Sequence, residues 1–184
     1  MLATALTLLA AAYLFASLLV LAPRKDGYRH LKHTISEIGE WGSPHKRFVA
    51  MGLFMPVGLM LLLVALLVRP ASPATAALAG CIAAGYIGAA LWPCDSGSPM
   101  TGSARQALHN LAGAIEYIGG GFTLTVLSET LGQPLRIVGF VVLATAVALS
   151  VLPAHAGRGA VQRVAEACLF GGLAFAVWAA RAVA

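Results

Sequence analysis

Six long apolar stretches, each about as long as a bilayer is thick, constrain this chain more than any other feature of its sequence. A membrane-spanning helix needs about 20 mostly apolar residues. The stretches cover residues 2–22, 48–68, 74–92, 108–127, 135–152 and 161–183. We therefore predict an all-α fold, in which a polytopic bundle of six transmembrane helices fills the whole chain, residues 1–184, as a single domain.

The composition argues against a water-soluble fold. Charged residues make up 10% of the chain and hydrophobic residues 59%, whereas about 25% of a typical soluble domain is charged. The net charge of +5 does not indicate a nucleic-acid partner, because half of the twelve Lys and Arg residues fall in the first loop. The three cysteines, Cys81, Cys94 and Cys168, form no CxxC pair, so neither a disulfide framework nor a thiolate zinc finger is predicted.

The basic residues are distributed unevenly between the two sides of the predicted membrane. Nine lie in or beside the loops after the first, third and fifth helices: Arg24, Lys25, Arg29, Lys32, Lys46, Arg47, Arg105, Arg158 and Arg163. The opposite side carries Arg69, Arg136 and Arg181. Because cytoplasmic loops of membrane proteins are enriched in Lys and Arg, we predict a multi-pass protein of the plasma (inner) membrane with both termini outside.

Polar residues that are costly inside a membrane collect on the predicted cytoplasmic side. His109 and Glu116 are seven residues apart, which places them on one helix face about 10 Å apart along the axis. Glu116 has no basic residue within four positions, so its partner must come from elsewhere in the fold. The other members of this predicted polar cluster are His30, His33, Ser36, Glu37, Glu40, Asp95, Asn110, Arg163 and Glu166.

One function that this cluster predicts is a membrane-embedded, metal-dependent lipid hydrolase, with zinc as the candidate metal. Histidine and carboxylate side chains can hold zinc and activate a water. His109, Asp95 and Glu116 are the predicted ligands, and His33, Glu37 or His155 would complete the shell. The candidate catalytic residues are His109, Asp95, Glu37 and Ser36, and Glu116, Arg163 and Glu166 would contact the ligand. A metal-free acid–base pair of His109 with Asp95 is equally compatible with the sequence.

The alternative is a protein without catalytic activity that binds or transports a lipid or another small molecule. The same polar residues would then hold a lipid headgroup, an ion or a proton, and the basic first loop would attract anionic headgroups. The expected partner in either case is membrane lipid, and the chain could form a homo-oligomer.

Three short motifs resemble those of the DUF998 family, a group of six-helix prokaryotic membrane proteins without an established activity. They are His33-Thr34-Ile35-Ser36-Glu37-Ile38-Gly39 followed by Ser43-Pro44, Trp92-Pro93-Cys94-Asp95 leading to Leu108-His109, and Gln162-Arg163 at the start of the sixth helix. The resemblance covers nearly the whole chain. It implies six helices and a polar site built from Ser36, Glu37, Asp95, His109 and Arg163.

Overall fold

Six long helices make up most of the computed structural model, which describes residues 1–154 and 156–180. They are α1 (Leu2–Leu21), α2 (Lys46–Val68), α3 (Pro73–Leu91), α4 (Ala104–Leu131), α5 (Gln133–Val151) and α6 (Arg158–Ala179). Each belongs to a segment that is long and apolar enough to cross a membrane. The predicted all-α, six-helix membrane bundle is therefore confirmed. His155 and Arg181, together with the end of the sixth predicted span, lie outside the described residues.

Capping side chains explain why α4 begins earlier than the hydrophobic stretch at residue 108. The Ser103 hydroxyl accepts a hydrogen bond from the backbone N–H of Gln106 at 3.2 Å, which satisfies one of the free donors of the first turn. The polar residues Arg105 and Gln106 are thus helical although they add nothing to the apolar stretch. At its other end α4 continues to Leu131, where Gly132 adopts a φ of 106° that favours glycine.

The helices pack in chain order, and α6 closes the arrangement by contacting α1, α3, α4 and α5. Leucines from several helices meet in a fully buried centre: Leu14, Leu61, Leu78, Leu124, Leu169 and Leu173. Many large apolar side chains face outward instead, among them Leu66, Phe122 and Ile137, which are at least 60% exposed. An outer surface this apolar fits a lipid environment and not water.

Glycines bring α3 close to its neighbours, but at positions other than those the sequence pattern suggests. Gly80, Ala84 and Gly88 recur every four residues and predict a single close-packing stripe on α3. A Cβ atom at Gly80 would meet no atom within 4 Å. The close approaches to α4 occur at Gly88, which lies against Ala112, and at Gly85, which lies against Glu116. The predicted stripe is therefore wrong at Gly80, and the position that matters more is Gly85.

Two helices contain a π-helical segment, Val49–Phe54 in α2 and Ile115–Gly119 in α4. In α2 the segment precedes Pro56, which has no N–H to donate to the Gly52 carbonyl four residues earlier. The Tyr13 hydroxyl of α1 donates to that carbonyl at 2.5 Å. In α4 the segment contains Glu116, and π-helical segments of this kind are frequent at functional sites.

Candidate ligand-binding site

A cavity of about 170 Å³ lies where the carboxyl ends of α3 and α5 meet the amino ends of α4 and α6. This is the end of the bundle that the basic residues predict to be cytoplasmic. The polar groups that line the cavity are Thr34, Ser36, Ser98, His109, Asn110, Glu116, Tyr117, Ser150, Arg158 and Gln162. Its apolar wall includes Ile118 of α4 and Ala146 and Leu149 of α5. The site is therefore amphipathic, with polar residues from several elements and apolar residues from two neighbouring helices.

Glu116 lies at the deep end of this cavity and is 6% exposed. Its carboxylate rests against Gly85, where even one added methyl group would collide with it. Its Oε1 atom is buried and has no hydrogen-bond partner among the described residues. An unsatisfied buried carboxyl oxygen costs free energy, so this atom marks a place where a ligand group can be stabilised.

Beside Glu116, a second carboxyl group is held by a network that links α3, α4 and α6. The Glu166 carboxylate accepts hydrogen bonds from the Tyr86 hydroxyl at 2.8 Å and the Tyr117 hydroxyl at 2.7 Å. Gln162 donates from Nε2 to the Tyr117 hydroxyl at 2.9 Å, and its Oε1 accepts from the Ile35 backbone N–H at 2.7 Å. Glu166 is therefore satisfied by protein groups, whereas Glu116 is not.

Arg158 is the buried cation of the site. It is the first residue of α6, is 6% exposed and lines the cavity. One guanidinium nitrogen, Nη1, donates to the Ser98 carbonyl at 2.8 Å, and Nε is buried without a partner among the described residues. Within that part of the chain Arg158 forms no ion pair with a carboxylate. A buried guanidinium in this situation favours an anionic ligand.

His109 of α4 also lines the cavity. It lies on the same helix face as Glu116, as their seven-residue spacing predicts. Its Nδ1 lies 2.9 Å from the Trp92 carbonyl, so the proton on that nitrogen is donated to the carbonyl and Nε2 is the basic atom. Trp92 follows α3, and the bond therefore ties the ends of α3 and α4 together beside the cavity.

Asp95, in contrast, belongs to the loop between α3 and α4. It accepts hydrogen bonds from the Ser103 backbone N–H at 2.8 Å and the Ser103 hydroxyl at 2.9 Å, and it pairs with Arg105. The Ser103 groups first, and the Arg105 guanidinium after them, hold the pKa of Asp95 below its ordinary value. Asp95 thus stabilises the turn that precedes α4 and does not line the cavity.

The first loop contributes one predicted site residue to the cavity and uses another to hold its own fold. Ser36 lines the cavity. Glu37 accepts hydrogen bonds from the backbone N–H and hydroxyl of Thr34, at 2.7 and 3.0 Å, and so closes the turn that leads into a short 3₁₀ helix, Ser36–Gly39. Its carboxylate faces the loop and is absent from the cavity wall.

Arg163 likewise has a structural position. Its guanidinium donates to the Tyr28 hydroxyl at 2.7 Å and to the carbonyls of His33 and Gly159 at 3.1 and 2.9 Å, and it lies 3.0 Å from His30 Nδ1. These bonds fasten the first loop to α6. Burial and the neighbouring Arg163 lower the pKa of His30, so this ring favours its neutral form.

The predicted zinc site of His109, Asp95 and Glu116 does not assemble. No group of three His, Cys, Asp or Glu side chains in residues 1–154 and 156–180 is placed to hold a metal ion. The reason is that Asp95 is committed to Ser103 and Arg105 in the loop, while Glu116 lies two turns deeper than His109. His155, a candidate for completing the shell, lies outside the described residues.

Arg158 and Gln162, which the sequence analysis does not assign to the site, line the cavity, whereas Glu166 is one of the predicted ligand contacts. Arg158, Gln162 and Glu166 follow one another at intervals of four residues and share one face of α6. That spacing indicates a shared helix face, although the charge of Arg158 by itself indicates only the topology. Tyr86 and Tyr117 carry no such signal, because their role depends on Glu166 being placed between them by the fold.

Comparison with known proteins gives the family and no activity. Neither a curated protein nor a solved structure matches the chain. The family described as "Protein of unknown function (DUF998)" matches residues 8–182, which is nearly the whole chain. The sequence motifs, the six spans and this match agree, and the protein therefore belongs to the DUF998 family.

Proposed function

We propose that this protein binds the headgroup of a phosphate-bearing membrane amphiphile in the cavity between α3, α4, α5 and α6. The observation that carries the proposal is Arg158, a guanidinium 6% exposed in the cavity wall with no carboxylate partner among the described residues. A charge that is buried without a counter-charge is costly. A phosphate oxygen at Nε would supply the missing charge and the missing hydrogen bond.

The shape of the site favours a ligand that is part polar and part apolar. Near the middle of the bundle α4 and α5 are in tight contact, because Gly121 and Gly139 face each other. Toward the cavity their walls are Ile118, Ala146 and Leu149, and Ile118 is 54% exposed on the outer surface. An acyl chain could leave the cavity between these two helices. The volume of about 170 Å³ is below the roughly 300–1,000 Å³ of sites that enclose a whole drug-sized ligand, which suits a headgroup alone.

Binding is favoured over metal-dependent lipid hydrolysis by the arrangement of the candidate ligands. A zinc site needs about three convergent protein ligands, and the described residues offer no such group. The predicted acid–base pair is also not formed, since His109 Nδ1 faces the Trp92 carbonyl and Asp95 is bound to Ser103. The polar groups of the cavity instead present hydrogen-bond donors, the cation Arg158 and the unsatisfied Glu116 oxygen, which suits recognition of a headgroup.

Replacement of Arg158 by glutamine tests this proposal. Native mass spectrometry of detergent-solubilised protein, titrated with phosphatidylglycerol, should show one bound lipid per chain. We expect Arg158→Gln to weaken this binding roughly 10- to 150-fold, because a hydrogen bond to a charged group contributes about 1.5–3 kcal/mol. Diacylglycerol with the same acyl chains, which lacks the phosphate, should bind weakly to both proteins.

The matched control is Arg47→Gln, which removes an exposed positive charge on the same side of the bundle. It should leave the affinity for phosphatidylglycerol unchanged. Equal weakening by both substitutions would mean that the lipid responds to general surface charge, and the proposed site would be wrong. Equal binding of phosphatidylglycerol and diacylglycerol to the native protein would also contradict it.

We further propose that the cavity faces the cytoplasm and that both termini lie outside the plasma membrane. The support is the excess of Lys and Arg on the loops after α1, α3 and α5. A reporter fused after Ala184 tests this orientation in a bacterial host. Alkaline phosphatase, which folds only outside the cytoplasm, should be active there, and a fluorescent protein that folds only in the cytoplasm should be dark. The opposite pair of results would invert the topology.

A further inference from the structure

We infer that the amphiphile bound by this cavity carries an ammonium group with N–H donors, which Glu116 binds at the deep end. The inference rests on the proposed function and names the class of headgroup: a zwitterion that pairs a phosphate with a primary amine. It starts from Glu116, because Arg158 alone accounts only for the anionic part of a ligand.

At the deep end of the cavity, Glu116 has a carboxyl oxygen that receives no hydrogen bond from the described part of the chain. Its side chain is more than nine-tenths buried, and its Oε1 atom has no hydrogen-bond partner within residues 1–154 and 156–180. It lines both the main cavity and a small adjoining void of about 20 Å³ that reaches Glu166. A ligand donor that reaches this depth would meet an acceptor that nothing else occupies.

The surroundings of Glu116 favour a cationic donor over a neutral one. The other carboxyl group nearby, Glu166, is already the acceptor for Tyr86 and Tyr117. Gly85 of α3 leaves room for the Glu116 carboxylate but offers no side chain to neutralise it. Burial and the neighbouring Glu166 disfavour the ionised form of Glu116, and an ammonium group at Oε1 would stabilise that form, which a neutral donor does less well.

The order of charges along the cavity matches the order of groups in such a headgroup. One face of α6 carries Arg158, Gln162 and Glu166. Eight residues separate the first from the last, so the backbone positions of Arg158 and Glu166 are about 12 Å apart along the helix axis. The guanidinium marks the outer end and Glu116 the inner end. The amine is the terminal group of a phosphoethanolamine headgroup, so it would enter deepest and leave the phosphate nearer to Arg158.

The test compares three lipids with the same acyl chains: phosphatidylethanolamine, which has N–H donors, phosphatidylcholine, whose nitrogen has none, and phosphatidylglycerol, which has no amine. With the native protein in detergent, native mass spectrometry should show phosphatidylethanolamine bound about tenfold more tightly than phosphatidylcholine, the gain from one charge-assisted hydrogen bond. Glu116→Gln should reduce this ratio to near one, and in that variant the binding of phosphatidylglycerol should still fall on Arg158→Gln.

The control is Glu129→Gln, which removes an exposed carboxylate from the far end of the same helix and should preserve the tenfold ratio. Equal affinities of the native protein for the two zwitterions would overturn the inference, as would a ratio that survives Glu116→Gln. In either case, lipid binding that still depends on Arg158 would keep the proposed function. If Arg158→Gln had no effect on the binding of any of the three lipids, both the inference and the proposed function would be wrong.

Discussion

Replacing Gly139 by leucine should lower the free energy of unfolding of the bundle by more than about 3 kcal/mol, and its melting temperature with it. A Cβ atom at this position would already lie 2.7 Å from the Gly121 carbonyl oxygen and 3.0 Å from the Thr125 backbone nitrogen. Both are backbone atoms, which cannot rotate away, so α4 and α5 would have to separate. Overpacking commonly costs about 1–3 kcal/mol where side chains can adjust, and here they cannot. Heating in detergent followed by size-exclusion chromatography would measure the loss.

A leucine at Gly80 is the matched comparison for this substitution. A Cβ atom there would meet nothing within 4 Å, although the position is also a helical glycine in a membrane span. Since leucine favours the helix over glycine, by somewhat less than the roughly 0.8–1 kcal/mol that separates glycine from alanine, Gly80→Leu should melt at the native temperature or slightly above it. A loss of stability at Gly80 as large as that at Gly139 would show that bulk, and not the α4–α5 contact, is responsible.

Substitution of Glu166 by leucine is expected to destabilise the protein by about 1–3 kcal/mol. The change deprives the Tyr86 and Tyr117 hydroxyls of their acceptor, and hydrogen bonds between membrane helices contribute about 0.6–1.7 kcal/mol each. The three helices α3, α4 and α6 lose their shared polar contact at the same time. The melting temperature in detergent, measured by intrinsic fluorescence, would report the change.

Glutamine at position 166 separates the hydrogen bonds from the charge. Its carbonyl oxygen can still accept from one tyrosine, so Glu166→Gln should recover about half of the stability lost in Glu166→Leu. The Tyr86→Phe and Tyr117→Phe variants should each lose about half as much as Glu166→Leu. If leucine proved as stable as glutamate, the network would have no role in holding the helices together.

The fold could be predicted from the sequence to a large extent, because a bilayer leaves few alternatives. Every backbone polar group must be satisfied inside the membrane, so an apolar stretch of sufficient length becomes a helix. Helix ends were less predictable, since they depend on side chains such as Ser103 that hydropathy does not record. The sequence also does not show which glycines make helix contacts. Gly80 and Gly85 are on the same helix, and only the fold places Glu116 against Gly85 and no atom near Gly80.

The candidate site was predictable where it lies on one helix and unpredictable where it depends on contacts distant in sequence. His109 and Glu116 share a cavity because seven residues make two turns. Asp95 and Arg163 have the same residue types as a functional site, yet loop partners occupy both of them. Arg158 enters the site only because the fold brings the Ser98 carbonyl, 60 residues away in sequence, to its guanidinium.

The π-helical segment Ile115–Gly119 has a consequence for how the two halves of α4 relate. A π turn holds an extra residue, as a single insertion into an α-helix would, and each α-helical residue advances the helix by about 100°. The half of α4 that lines the cavity, before the π segment, is therefore rotated about the helix axis relative to the half after it, which packs against α5 through Gly121. Deleting Ile118 would restore a regular helix but rotate the half that carries His109 and Glu116 by about 100° relative to the half that carries Gly121. Glu116 and Gly121 could then no longer both face their present partners, Gly85 and Gly139.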